Sequence, residues 1–316
     1  MCTGAIAFGG NTVGHDVVEL HRRAVSAFGE RVEGVGDAAW RQPTPCSEWD
    51  VRALVDHLVV ENLWVPPLVA GKRIDEVTDI PDGEVLGDDP QRAWDRSAAA
   101  ALGAAERASL DATTHLSFGD VPTAEYLWQL TIDALVHAWD LARATGQDET
   151  FDADLVAACA DWFDGVEDAY RAAGVIGPAV DPASDDALAR LLGRLGRDAS
   201  AQDPLGTIVR FNAAFNRQDL EALGGLMADD VTFVDTAPPN GTAHHGRTAV
   251  LEAFAAFFDG SPSARFETLG GFVADGHVVV RWRYRWGDAA ADHIDGIDVF
   301  TVTGGKVAEK LSFVKG

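Results

Sequence analysis

The apolar period of this 316-residue chain changes once, near residue 204. Before that point apolar residues recur every three or four positions, as on one face of a helix. Beyond it, two helical stretches give way to alternating or β-branched and aromatic runs, which is the period of strands. A chain of this length is also comfortable as two domains, each with its own core. The sequence therefore predicts a multidomain protein. An all-α four-helix bundle occupies 15–200 and an α+β domain occupies 204–316, with the polar stretch GRDASAQDP at the joint. Residues 1–14 read as a disordered tail, and their lack of basic residues argues against a secretory signal.

Within the helical part, periodicity predicts a helix over about 16–35 (Val18, Leu20, Ala24, Phe28, Val32). A second should start after Ser47 as N-cap, carry His57, and stop at Val65 because Pro66 and Pro67 follow. A third opens at Asp89-Pro90 and runs to Leu110; a fourth spans Thr123 to about Ala144, closed by Gly146. Two more are predicted over Asp152–Ala173 and Asp185–Leu195. In the second part, Ala274-Asp275-Gly276 and Gly304-Gly305 read as hairpin turns.

Charge narrows the partners. The chain carries 50 acids and 25 bases, and residues 1–203 hold 36 of the acids and 15 of the bases. Such a surface repels phosphate backbones and anionic lipid, so nucleic acid and membrane are poor partners and a small molecule is the expected one. No apolar run is long enough to span a bilayer. The three cysteines, Cys2, Cys46 and Cys159, have no metal-ligand spacing and cannot all pair, which fits a reducing cytoplasm.

Two runs carry the chemistry. EWDVRALVDHLVVEN holds His57, and TIDALVHAWDLARATG holds Asp133 and His137 on one helical face. Two imidazoles and a carboxylate can hold a divalent metal and leave coordination positions open. Such a site supports Lewis-acid activation of either a thiol or water, and the same ligand set also suits non-haem iron. Asp56, Glu61 and Asp140 are candidates to orient the imidazoles. Trp49 and Trp139 read as core. In the second part, Arg281, Arg283 and Arg285 alternate with Trp282, Tyr284 and Trp286, which puts the aromatics on the pocket face of a strand. His244 and His245 read as a solvated loop.

These runs carry resemblances. TPCSEWDVRALVDHLVVEN followed by LVHAWDLARATG resembles the DinB-like superfamily, closest to the branch of mycothiol-dependent maleylpyruvate isomerase, over about residues 15–200. The resemblance implies a four-helix bundle with a metal, zinc being the expected ion, on His57, Asp133 and His137, and mycothiol as the thiol cofactor. Many relatives have Glu or His where this chain has the shorter Asp133. The acidic, alanine-rich composition accords with an actinobacterial source.

FNAAFNRQDLEALGGLMADDVTFVDTAPPNG, HHGRTAVLEAFAAFF and GIDVFTVTGGKVAEKLSFVKG resemble the SnoaL-like branch of the nuclear-transport-factor-2-like superfamily, which also holds ketosteroid isomerase. This implies a cone-shaped curved sheet around an apolar pocket lined by Phe211, Trp282, Tyr284 and Trp286. By the isomerase pattern Asp235 is the general base and Asp298 the protonated donor to an oxyanion. In that pattern an apolar site keeps the second acid neutral, so that it can donate a hydrogen bond. Phe211 replaces the usual tyrosine.

The expectation is a metal-dependent, thiol-using transferase or isomerase in the cytoplasm, with a small-molecule pocket in its second domain. The alternatives are a non-catalytic metal- and ligand-binding protein serving as a sensor or resistance factor, and an isomerase or cyclase that works through Asp235. A homodimer through the C-terminal domain is the assembly to test. The substrate is not legible.

Overall fold

The computed structural model describes residues 16–315 apart from 47–48, 82, 175, 183, 200–203, 264, 275–276, 288 and 290. The expected tail, the Ser47 cap, most of the interdomain joint and the tip of the Asp275-Gly276 turn lie outside the described residues. The chain forms two compact units. The first takes residues within 16–34, 53–141 and 149–199; the second takes 35–52, 142–148 and the chain from 204 onward. Two short segments expected in the helical part thus cluster with the second unit.

The first unit is helical. Its elements are α1 (Val17–Glu33), α2 (Val51–Val69), α3 (Pro90–Ala105), a hairpin of β1 (Thr113–Leu116) and β2 (Gly119–Pro122), α4 (Thr123–Thr145), α5 (Ala153–Asp164), α6 (Glu167–Ala172) and α7 (Ala187–Arg194). Side-chain oxygens satisfy the free amides at several starts: Asp16 caps α1, Asp89 caps α3 and Asp152 caps α5. Phe28 of α1 packs against Trp94 of α3 with ring centroids 4.7 Å apart. Trp128 of α4 stacks on Trp162 of α5 at 6.0 Å, and the Trp162 indole N–H donates to Glu125. Trp139 is buried, as expected.

Three boundaries differ from expectation. α2 continues through Pro66 and Pro67 to Val69. The two prolines fall in its last turn, where their missing N–H groups leave the carbonyls of Asn62 and Leu63 without their α-helical donors. α3 ends at Ala105, and HLSFGDVP is part of a hairpin turning at Gly119, which has φ +145°. The predicted Asp152–Ala173 helix breaks at Gly165 into α5 and α6.

The second unit holds α8 (Pro204–Asn216), α9 (Leu220–Leu226), β3 (Met227–Val234), β4 (Ala243–His245), α10 (Arg247–Gly260), β5 (Arg265–Ala274), β6 (His277–Arg285), β7 (His293–Thr303) and β8 (Lys306–Val314). The sheet order is β4-β3-β8-β7-β6-β5, antiparallel except for the β3–β8 pair. Register shifts in β5 at 268–270 and in β7 at 301–302 mark bulges, which bend a sheet. Gly304 and Gly305 make the β7–β8 turn with φ +58° and +71°, the doubly positive conformation of a tight hairpin. Ile208, Phe211, Leu223, Phe254, Phe258 and Phe300 belong to the buried core beneath the helices. Among the described residues no helix is long and apolar enough to cross a membrane.

Candidate functional site

In the first unit α2 delivers His57 and α4 delivers Asp133 and His137, whose four-residue step places them one above the other. Each has a potential ligand atom, and the three atoms lie within 4.8 Å of one another. His57 Nε2 is 3.5 Å from one Asp133 oxygen, and His137 Nε2 is 3.4 Å from the other. The two imidazoles meet edge to face with centroids 5.4 Å apart. His137 is buried, while His57 and Asp133 keep 27% and 34% of their side-chain exposure, so the cluster is open on one side.

The support behind His137 is specific. Its Nδ1 lies 2.8 Å from Asp140, a fully buried carboxylate. A carboxylate only accepts, so Nδ1 carries a proton, and in the neutral ring the lone pair of Nε2 faces Asp133. Arg197 in turn donates to Asp140 at 3.0 Å and 3.4 Å. Burial raises the pKa of Asp140, but Arg197 and His137 outweigh it and hold the carboxyl below its usual range. Burial likewise opposes ionisation of Asp133, and the two histidines reverse that, His137 most strongly. Glu61, one turn beyond His57, is raised by burial and by the Asp133 charge. Asp56 is instead a tie for a loop, accepting from the Val85 and Leu86 amides at 2.7 Å and 3.2 Å.

The second unit encloses a cavity of about 730 Å³ between α8, α10 and the sheet. Its wall is mostly aromatic: Phe215, Phe233, Phe254, Phe266, Trp282 and Tyr284. Trp282 and Tyr284 line it, as the alternation on β6 predicts, while Arg283 and Arg285 point away and pair with Asp295 and Glu267. Two expected lining residues do not take part. Phe211 is buried in the core against Phe254 and Phe300, and Trp286, beyond the end of β6, is 50% exposed. Trp282 sits over Gly296, where an added Cβ would come within 2.3 Å of the indole.

Asp235 and Asp298 both reach the cavity. Asp235 accepts from the amides of Ala237 and Thr242 at 2.9 Å and 2.7 Å and from His244 Nε2 at 3.2 Å. Burial raises its pKa, yet these donors prevail and hold it below the usual carboxylate range, which suits an orienting acceptor better than a base. Asp298 pairs with Lys310 at 2.7 Å and accepts from Ser312 at 2.7 Å. His244, expected to be solvated, stands on β4 and lines the cavity, stacked on Phe233 at 5.6 Å. The sequence signal for it was available: His244 falls two residues before the Gly246 that precedes α10, in an alternating stretch opposite β3.

The chain thus joins a helical unit with a two-histidine, one-carboxylate cluster to a sheet with an apolar cavity. The family model of the mycothiol maleylpyruvate isomerase N-terminal domain matches residues 21–142, and that of the SnoaL-like domain matches residues 208–310. Two uncharacterized proteins from strains of Mycobacterium tuberculosis are 36% identical over 140 residues, 44% of this chain and 73% of theirs. The chain belongs to the mycothiol maleylpyruvate isomerase N-terminal domain family, here joined to a SnoaL-like domain. Among solved structures, an NTF2-like protein of unknown function from Mesorhizobium loti is 31% identical, with 37% of this chain and 93% of that one covered and a TM-score of 0.33. An uncharacterized cystatin-fold protein from Novosphingobium aromaticivorans is 22% identical, covering 34% and 96%, with a TM-score of 0.31. Both domain families have relatives in isomerase or cyclase chemistry, and SnoaL-like domains bind small molecules.

Proposed function

We propose that the chain is a metal-dependent enzyme of isomerase or transferase type that uses a low-molecular-weight thiol such as mycothiol at the His57, Asp133, His137 cluster. The observation that carries this is the convergence of three donor atoms within 4.8 Å, two of them imidazole nitrogens. The donor set fits a divalent ion of zinc type: three protein ligands and an open side are the pattern of a catalytic site. His57 and His137 would bind through Nε2 and Asp133 through a carboxylate oxygen. A metal held there supplies Lewis acidity, which lowers the pKa of a thiol at its open side. Asp140 keeps His137 in the required tautomer, and Arg197 keeps Asp140 ionised. Glu61, on the His57 face of α2, is placed to accept the thiol proton.

The test uses the purified full chain. Elemental analysis should find about one divalent metal per chain, lost in His57→Ala. Isomerisation of maleylpyruvate should depend on both mycothiol and the metal. No metal above background after metal-supplemented expression would sink this reading. Metal without thiol-dependent turnover would favour a binding protein.

A further inference from the structure

We propose that Thr268 recognises an acceptor oxygen on a ring compound in the cavity of the second unit, and that Gln42 passes its arrival on to α2, the helix that carries His57. The consequence for a metal at the His57, Asp133, His137 cluster rests on the function proposed for that cluster. The step from Thr268 to α2 does not.

The linking segment lies within the match to the isomerase N-terminal domain, residues 21–142, yet residues 35–52 cluster with the second unit. Residues 40–46 and 49–52 form a strap whose two arms pair. Pro43 bridges Asp50, and Arg41 pairs with Asp50 at 3.2 Å. The Thr44 amide and hydroxyl donate to the Trp49 carbonyl at 3.2 Å and 2.9 Å. A one-turn helix at Asp37–Ala39 leads into the strap and packs against β5. Glycines build the docking place. The β5 bulge at 268–270 includes Gly270 at φ +138°, and at Gly271 a Cβ would come within 2.5 Å of the Val279 carbonyl. The bare backbone leaves room for Pro43, whose Cγ is 3.5 Å from where that Cβ would stand. Gly271 is paired with Val280 and Thr268 with Trp282. Thr268, Val280 and Trp282 all line the cavity, so the strap meets β5 on its cavity face.

Gln42 is the joint. Its side-chain amide donates to Thr268 Oγ1 at 2.7 Å. Its own carbonyl accepts from the Val51 amide at 3.0 Å, and the Trp40 carbonyl accepts from the Arg52 amide at 3.0 Å. Val51 and Arg52 open α2, and the first amides of a helix have no partner inside it. The strap therefore caps α2, which runs unbroken from there through His57.

The hydroxyl of Thr268 accepts from Gln42 and still has its own proton to give, and among the described residues that proton has no acceptor. Its cross-strand neighbour Trp282 is in the same position: the indole nitrogen is buried with no partner among the described residues. Two donors without acceptors on neighbouring strands of an aromatic cavity fit a ring that bears a carbonyl oxygen. Such an oxygen completes a chain from the Gln42 N–H through the Thr268 O–H to the ligand, and hydrogen bonds in a chain strengthen one another. Occupancy thus tightens the Gln42 contact and steadies the start of α2. By linkage, a ligand that steadies the helix of His57 raises the affinity for a metal there, and the metal raises that for the ligand by the same factor.

The probes are 1-indanone, a flat bicyclic ketone, and indane, the same rings without the oxygen. Binding to the full-length protein is read from quenching of tryptophan emission, and hydrogen exchange at the Val51 and Arg52 amides from mass spectrometry in EDTA. At equal occupancy 1-indanone should slow that exchange about fivefold more than indane does, the effect of about one hydrogen bond. Thr268→Val should weaken 1-indanone about fivefold, leave indane unchanged and abolish the difference in exchange. Gln42→Met should abolish that difference while 1-indanone affinity stays within about twofold, which separates relay from binding. Gln42→Glu replaces the donor by an acceptor that takes the Thr268 proton, and should weaken 1-indanone as Thr268→Val does. Zinc affinity should rise about fivefold with 1-indanone in the wild type and not in Gln42→Met. Equal exchange with the two probes, a difference that survives in Gln42→Met, or a wild type that does not bind 1-indanone overturns the proposal. A chain that takes up no zinc but shows the exchange difference sinks the metal reading and upholds the link through Gln42; zinc uptake without that difference does the reverse.

Discussion

His21 gives the sharpest test of how the helical unit is held together. It lies on α1 at 1% exposure, and among the described residues neither ring nitrogen has a hydrogen-bond partner. Burial alone pushes its pKa down from 6.5 to about 4. The folded chain therefore refuses a proton that the unfolded chain accepts below pH 6.5. Stability from this group is fully present above pH 6.5 and is lost as pH falls toward 4. At about 1.4 kcal/mol per pH unit, the full loss is about 3 kcal/mol, and about 2 kcal/mol of it is reached at pH 5. For a unit of this size, 2 kcal/mol corresponds to a fall in Tm of about 4–8 °C. His21→Leu removes the titration and the unpaired polar atoms together at similar volume. We expect the variant to be at least as stable as wild type at pH 7.5, since an unpaired buried polar group costs about 1–3 kcal/mol. Its Tm should fall less between pH 7.5 and 5.0 by that same 4–8 °C. Every other titrating group is common to both proteins, so the difference between the two falls isolates His21. Equal falls in both proteins would refute the reasoning. A loss of more than about 2 kcal/mol at pH 7.5 would show that the ring has an unrecognised partner.

Three further outcomes are expected. Burial pushes the Cys159 thiol up to about 12, so an aromatic disulfide reagent at pH 8 should leave it unmodified in the native protein and label it in 6 M guanidinium, by mass spectrometry. Gly296→Ala places a Cβ against the Trp282 ring and the Phe313 carbonyl; it should cost about 1–3 kcal/mol in thermal unfolding. Zinc at 100 times its dissociation constant should stabilise the wild type by about 2.7 kcal/mol in thermal unfolding. It should leave Asp133→Asn unchanged, while Asp140→Asn should bind it about 10–100-fold more weakly.

Periodicity and turn chemistry carried most of the architecture. The spacing from Val18 to Val32 buries one face of α1, and the paired glycines at 304–305 take the positive φ that their hairpin requires. Prolines misled at 66–67, where the helix runs on to Val69 although each proline forfeits the bond to its i−4 carbonyl. At the first site the i, i+4 step fixed which residues share a face, but only tertiary packing brings His57 of α2 to them. At the second, alternation on β6 gave the right face for Trp282 and Tyr284. Strand pairing was not legible, and strand pairing is what seats His244 beside Phe233 and Asp298 beside Ser312. A resemblance by position therefore named Asp235 and Asp298 without showing their partners, and the partners decide which group donates and which accepts.

The hydrogen-bond directions at the first cluster carry one more step. Asp140 commits the His137 proton to Nδ1, so the Nε2 lone pair points at an Asp133 oxygen 3.4 Å away. His57 Nε2 stands 3.5 Å from the other oxygen. An ionised Asp133 offers only acceptors, so at least one of these contacts sets lone pair against lone pair unless a cation stands between them. A proton on one imidazole relieves one contact and leaves the other dependent on its own proton. Arg197 cannot help, because it is already engaged with Asp140. One proton added to His137 would serve both contacts, because a neutral His57 can carry its own proton on Nε2. A single divalent ion satisfies both nitrogens and the carboxylate at once. The cluster is thus completed either by a divalent ion or by a proton on His137, and the zinc titration of the wild type against Asp133→Asn separates the two.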